Sequence, residues 1–392
     1  VTLSGGSWLD ARAETHRQAL LRATPTVMRP LVEAAGATLT LDLLAPGDVP
    51  GHDGSAMDGW ATAGAPPWLL GEPLVAGDVP ATAALADGHA RPVTTGAPVP
   101  PGTDAVLRSE DGLVEPGDDG APLLHRSAES TRRHIRPAGE EVRAGDLLFA
   151  RGVVLTPPRA ALAAASGVDE VPVARPPRAA LVVLGDEIVR VGVPRAGRVR
   201  DVFSGSVPGI LRSAGVADIE SAHAGDDPEA TRRALDVDAD LVVSTGGTGH
   251  SSADHVRSAL DALGAEILVE RISMRPGRPL LLARVGDRLH LCLPGNPMAA
   301  MVGLVLVGLP LIDGLLGRPL RLPEVVRLAE DLRNDSPQVV VLAYRSTPDG
   351  AVAARRQTAA MLRGLADADG LLVVPPGGAL RGSDAPALDL PW

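Results

Sequence analysis

Residues 240–256 read DLVVSTGGTGHSSADHV, and this stretch decides the fold. Leu241, Val242 and Val243 form a short apolar run rich in β-branched residues, the pattern of a buried strand. Gly246, Gly247 and Gly249 then make a glycine-rich turn around Thr248. Ser251 and Ser252 are candidate N-caps, and helical spacing begins at Ala253. Strand, glycine turn and helix start together form an anion cradle. Glycine lets backbone amides approach a ligand, and the free N–H groups of a helix start favour negative charge. Asp254 adds a carboxylate beside that cradle, and a carboxylate next to a phosphate implies a bridging divalent cation. A tight turn with a surface aspartate is the plainer reading of the same residues.

Outward from this loop, composition narrows the function classes. The 392 residues are enough for several domains, and the 45% hydrophobic content supplies real cores. A net charge of −11 argues against a general nucleic-acid binder, so any basic site must be local. The chain has no lysine; all its basic residues apart from histidine are arginine. The single cysteine, Cys292, excludes an internal disulfide and a cysteine metal cluster, and fits a reducing cytoplasm. No signal-type segment is read at the start of the sequence. The longest apolar run, residues 298–312, contains Pro310 and is short for a bilayer span, so it is expected to be a buried helix and no membrane partner is expected.

Strand and helix alternate from residue 179. Strands are expected at 180–184, 217–222, 266–272, 280–285 and 288–293, with helices at 206–214, 228–235 and 253–263. That is a doubly wound α/β domain, whose ligands bind beyond the carboxyl ends of its strands. Glu187 and the glycine turn both fall at such ends. Before this region, residues 3–35 read as largely helical with breaks at Pro25 and Pro30. Residues 68–138 read as β structure with many turns, 157–166 as a helix, and 172–178 as a linker. After Pro323 the pattern returns to β, with a short helix at 358–368 and a last strand at 371–374.

Four further motifs carry polar chemistry. SAMDGWA (55–61) surrounds Asp58 with small residues, which suits a carboxylate pressed against a ligand or a partner backbone. TGAP begins at Thr95. MRPGRP (274–279) holds Arg275 and Arg278 on a proline-stiffened loop, and arginine pairs bidentately with oxyanions. LPGNP (293–297) sets the rigid turn Pro294-Gly295-Asn296-Pro297 before a helix start, a second candidate anion cradle.

SAMDGWA, TGAP with GTDAV, RPAGEE, GDE followed by GRVRD, the GGTG loop, MRPGRP and LPGNP occur in this order along the chain. In this it resembles the molybdopterin molybdenumtransferases, the metal-inserting enzymes of molybdenum-cofactor synthesis related to the E domain of gephyrin. The resemblance runs over essentially the whole length. It implies a multidomain α/β plus β fold in four parts: a mixed N-terminal domain (1–45 and 140–176), an inserted β domain (46–139), the doubly wound α/β molybdopterin-binding domain (177–322) and a C-terminal β domain (323–392). It also implies a homodimer in which Asp58 reaches the glycine loop in trans, with other cofactor-pathway proteins or molybdoenzymes as further partners. The implied reaction takes adenylylated molybdopterin, molybdate and Mg²⁺ and releases AMP. The implied catalytic residues are Asp58, Glu141, Glu187 and Asp254, with Glu187 and Asp254 as metal ligands. Ser55, Thr95, Gly246, Gly247, Thr248, Arg275, Arg278 and Pro294 to Pro297 would contact the substrates. The chain departs from the family pattern at several points: Gly249, Ser251, Ala299, Glu141, and arginines at 275 and 278 where lysine is usual. GGTG is closer to the related adenylyltransferases. A molybdopterin-binding paralogue without turnover, or the adenylyl-transfer step itself, are therefore the alternative readings.

Overall fold

The computed structural model describes residues 2–118, 120–128, 132–247 and 255–392. At its centre is a seven-stranded sheet in the order Leu3–Ser4, Glu266–Glu270, Leu281–Val285, Arg288–Leu293, Leu241–Thr245, Ala179–Leu184 and Ile219–Ala224. The last four run parallel, and Leu281–Val285 is antiparallel to both its neighbours. Alternation explains why the central strands read as unbroken apolar runs. Leu181, Val183, Leu241, Val243, Leu289 and Leu291 face one core, whereas Ala180, Val182, Leu184, Val242 and Cys292 face the other. Helices Phe203–Ala214 and Pro297–Gly303 cover the first face. Helices Pro228–Leu235 and Val256–Ala262 cover the second. The chain leaves Ala179–Leu184 toward one neighbour and returns to pair on its other side with Leu241–Thr245. Their carboxyl ends therefore flank a topological switch point.

The apolar run forms one continuous helical stretch, Pro297–Leu315, with a π-helical turn at Leu304–Gly308. It is long and apolar enough to cross a membrane, but it is wholly buried in the protein core. Helix Trp8–Leu20 packs across it at Gly314. A Cβ there would stand 2.5 Å from the His16 carbonyl oxygen, so only glycine permits this approach. In the central strand Arg288–Leu293, His290 is fully buried and neither ring nitrogen has a hydrogen-bond partner among the described residues.

Two further six-stranded sheets lie outside the α/β layer. Residues 59–126 form a six-stranded sheet in the order Ala105–Arg108, Gly59–Ala63, His89–Val93, Trp68–Leu70, Pro122–Arg126 and Gly112–Pro116. A second six-stranded path runs Met274–Arg275, Val339–Thr347, Gly370–Val374, Asp384–Asp389 and Glu324–Arg327, with Gly350–Ala353 paired to Val339–Thr347. Met274 and Arg275 pair in parallel with Val339 and Val340, which straps the arginine loop to this sheet.

The N-terminal expectation needs correction. Only Trp8–Leu20 and the 3₁₀ turn Leu31–Glu33 are helical; Thr26–Pro30 is a strand. Thr26 and Val27 are β-branched, and a proline at each end of TVMRP disfavours helix. The partner of this strand is Glu170–Ala174, so the supposed linker begins inside a ladder, with Pro172 opposite Met28. A two-stranded ribbon tolerates proline where its missing N–H faces outward. Near the C-terminus the helix shrinks to Arg363–Ala366, and Asp384–Asp389, not residues 371–374, is the last strand.

Candidate active site

The strand Leu241–Thr245 ends on Gly246 and Gly247, both with positive φ (91° and 63°). A Cβ at Gly246 would lie 2.8 Å from the Leu184 carbonyl oxygen, so the turn sits hard against the neighbouring strand end. Gly246 also donates to the Leu293 carbonyl at 3.1 Å, and a Cβ on Gly295 would lie 3.4 Å from the Gly246 Cα. Two glycines facing each other thus join the LPGNP turn to the glycine loop backbone to backbone. A cleft of about 610 Å³ opens at this junction, lined by Glu187, Asp201, Asp226, Thr245, Gly246, Gly247 and residues Pro294 to Pro297. The Thr245 hydroxyl is buried there without a partner among the described residues, a polar atom left available to a ligand.

A wider cleft of about 920 Å³ adjoins the first and shares Pro279, Pro294 and Asn296 with it. Arg275 and Arg278 line it opposite Asn334, Gln338 and Thr358. Neither guanidinium donates to another described residue, so both keep their forks for an oxyanion. The structure therefore brings Glu187, Gly246, Gly247, Pro294, Gly295, Asn296, Pro297, Arg275 and Arg278 to one pair of connected clefts. Thr248 and Asp254 lie outside the described residues.

The remaining expected site residues form a second cluster, on the inserted β region and the residues that directly follow it. Asp58 accepts from the Thr95 backbone at 2.6 Å and from the Thr95 hydroxyl at 2.9 Å. The backbone bond first, then the hydroxyl, hold the Asp58 carboxyl below its ordinary pKa. The Ser55 hydroxyl donates to the Met57 carbonyl at 2.5 Å, and Ser55 pairs with Ile135. The next residue, Arg136, donates to Glu141 at 3.0 Å, which ties the carboxylate of RPAGEE to the same cluster. None of Ser55, Asp58, Thr95 or Glu141 lines either cleft within the chain.

Three cleft residues were not assigned to the site from the sequence. Asp226 precedes Asp227, which caps helix Pro228–Leu235 through Ala230 at 2.7 Å; the tandem carboxylate leaves Asp226 to face the cleft. Asp201 accepts from the Phe203 and Ser204 amides at 2.9 and 3.0 Å and from His223 Nε2 at 2.9 Å. Burial alone would raise its pKa, but the bonds from Ser204, His223 and Phe203 outweigh it and hold the carboxyl at about 2. The Ser204 hydroxyl meets the same Nε2 at 3.4 Å, so this is a clamp on a helix start and not a nucleophile relay, which needs both ring nitrogens. Thr245 reads in sequence as the plain end of a strand. Among the described residues no three His, Cys, Asp or Glu side chains gather as a metal cluster. Magnesium needs fewer, because it takes one or two carboxylates and keeps water and phosphate oxygens as its other ligands.

Residues 7–167 match the family described as MoeA N-terminal region (domain I and II), and residues 180–314 match the probable molybdopterin binding domain. Molybdopterin molybdenumtransferase 2 of Mycobacterium tuberculosis is 34% identical over 318 residues, covering 76% of this chain and 78% of the relative. Molybdopterin molybdenumtransferase of Synechococcus elongatus is 32% identical over 367 residues, covering 89% and 90%. The crystal structure of a molybdopterin biosynthesis MoeA protein from Pyrococcus horikosii superposes with a TM-score of 0.78 at 25% identity, covering 97% of this chain and 98% of that one. With relatives this similar over most of its length, a matching fold and both family regions present, the chain belongs to the molybdopterin molybdenumtransferase family.

Proposed function

We propose that this chain inserts molybdate into adenylylated molybdopterin and releases AMP, as a step of molybdenum-cofactor synthesis. The observation that carries the reading is the junction of Gly246 with Gly295. It sets two glycine-bearing turns, a buried hydroxyl without a described partner and three carboxylates around a cleft whose neighbour holds two unpaired arginines. A pterin phosphate and an oxyanion need such adjoining polarities.

In this reading the amides of the glycine loop and of the LPGNP turn hold the phosphates, and the Thr245 hydroxyl donates to an oxygen beside them. Arg275 and Arg278 hold molybdate by its oxygens. Glu187, Asp226 and Asp254 are the hard oxygen donors that would hold Mg²⁺, and the pair in the described cleft fits a cation that takes few protein ligands. When bound, Mg²⁺ neutralises charge on the phosphate being displaced. Asp201, fixed in its ionised form, keeps the helix Phe203–Ala214 and so the rim of the cleft in place.

Asp58, Thr95 and Glu141 enter the site from a second copy of the chain. The hydrogen-bonded Asp58 carboxylate has no target in its own subunit's clefts, and a homodimer supplies one. The four-part division at 1–45 with 140–176, 46–139, 177–322 and 323–392 is the organisation we assign to each subunit. We place the protein in the cytoplasm, where its free Cys292 stays reduced. The direct experiment supplies purified protein with adenylylated molybdopterin, molybdate and Mg²⁺ and measures AMP. Release that depends on molybdate supports the reading; a protein that binds molybdopterin and releases none contradicts it.

A further inference from the structure

Four arginines, Arg345, Arg355, Arg356 and Arg363, line one concavity of about 430 Å³ that shares no lining residue with either cleft described above. Arg345 comes from the strand Val339–Thr347 and Arg363 from the helix Arg363–Ala366, while Arg355 and Arg356 lie on the segment between. All four are exposed, and among the described residues none of their guanidiniums donates a hydrogen bond or forms an ion pair. Many other arginines find a carboxylate, as Arg17 does with Glu14, Arg175 with Asp240 and Arg321 with Asp313. In a chain with 48 acidic and 37 basic residues, four unpaired cations around one hollow are a local inversion of charge. Among the described residues that line it Asp367 is the one acid, and Glu330, which accepts from the Ala353 amide at 2.6 Å, lies behind it.

The backbone beneath this group is fixed. Gln357 accepts from the Ala343 amide at 2.6 Å and donates to the Ala343 and Ala354 carbonyls, which pins the segment to the sheet. Gly364 donates to the Arg356 carbonyl at 3.2 Å, and a Cβ on Gly364 would lie 2.5 Å from the Arg355 carbonyl oxygen. Arg356 itself holds a left-handed φ of 57°, a conformation that non-glycine residues keep only where their surroundings enforce it. The guanidiniums therefore extend from a held frame around a common space.

We propose that this concavity is an oxyanion-binding site for a small ligand carrying more than one phosphoryl group. Guanidinium forks match phosphoryl oxygens two at a time, and four of them spread over one hollow offer separate forks to more than one phosphoryl group. Bound polyanionic charge also relieves the mutual repulsion of the four cations.

The test is calorimetric titration of the full-length protein with inorganic pyrophosphate. Wild type binds it saturably, and the affinity falls as ionic strength rises. Arg345→Gln/Arg363→Gln weakens binding at least tenfold with the circular dichroism unchanged. Asp367→Asn, which removes the opposing charge, tightens it, a gain that a folding defect would not give. Arg275→Gln/Arg278→Gln, in the molybdate cleft, leaves this binding in place. Orthophosphate and molybdate, titrated as single tetrahedral ions, bind at least tenfold more weakly than pyrophosphate. Absence of pyrophosphate binding to wild type overturns the proposal. So does unchanged affinity in Arg345→Gln/Arg363→Gln, or loss of binding through Arg275 and Arg278 alone. Equal affinity for orthophosphate or molybdate overturns the multi-phosphoryl assignment.

Discussion

Thr95 gives Asp58 two hydrogen bonds to one carboxylate oxygen, from its backbone nitrogen at 2.6 Å and its hydroxyl at 2.9 Å, across 37 residues of sequence. The pair fixes both the ionisation and the direction of an exposed carboxylate. A surface aspartate in a simple turn has no need of such a partner. The TGAP turn is itself laced to SAMDG, since Gly96 donates to the Ser55 carbonyl at 2.8 Å and Ser55 to the Ala97 carbonyl at 2.9 Å.

Thr95→Val keeps the shape and the backbone bond but deletes the hydroxyl donor. The Asp58 pKa should rise toward its ordinary value without reaching it, because the backbone bond is the larger of the two causes. Carboxyl-carbon NMR titration checks this, and an unchanged pKa would show that the hydroxyl bond has no electrostatic effect. The same variant should slow AMP release while leaving the fold intact.

Asp201 links the cleft to acid stability. Its pKa is lowered to about 2 from 3.8, so the native state holds that proton less tightly than the unfolded chain. The stabilisation is present above about pH 4 and is lost as pH falls toward 2. Asp201→Asn should cost about 1–2 kcal/mol at pH 7, allowing for solvent screening, and the difference from wild type should shrink across that window. Urea unfolding at a series of pH values measures it; a pH-independent difference would contradict the assignment to charge.

His290 acts in the same protonation sense, but its favoured deprotonated form is the neutral one. Burial first, then the neighbouring Arg288, push its pKa down from 6.5 to about 4. The native state favours the neutral ring, so stability is complete above pH 6.5 and declines as pH falls to 4, by about 2–3 kcal/mol. His290→Leu should remove that part of the acid sensitivity. An identical slope in the variant between pH 6.5 and 4 would show that His290 does not titrate on unfolding.

Arg278 separates the molybdate cleft from a merely basic loop. Arg278→Lys keeps a cation and should be tolerated. Arg278→Ala loses a charge-assisted pair of about 1.5–3 kcal/mol, or roughly ten- to a hundred-fold in apparent molybdate affinity. The molybdate dependence of AMP release gives the answer, and three coincident curves would place the anion elsewhere.

Much of this was legible in the sequence where period and punctuation agree. Pro228–Leu235 has an aspartate cap, a proline at its first position and an apolar stripe, and it occupies the residues expected of it. The central strands were readable as apolar runs because both faces are buried. The strand Thr26–Pro30 was not, because its five residues are set by pairing with Glu170–Ala174, Met28 lying opposite Pro172, 144 residues further on, and not by local pattern. In the site, glycines and prolines announced the turns, whereas Asp226 and Thr245 carry no local signal. Their role depends on which strand ends the topology places side by side.

The composite site is the central claim, and subunit complementation tests it most directly. Asp58→Asn and Glu187→Gln alter opposite halves of the proposed site, and each homodimer should release AMP on the order of 100-fold more slowly than wild type. Co-expressed under different tags, about half of the dimers are mixed, and each mixed dimer rebuilds one intact site of two. The account predicts recovery to roughly a quarter of the wild-type rate. Mixed dimers that are isolated through both tags and remain as slow as the parents would contradict it, as would full activity in either variant alone.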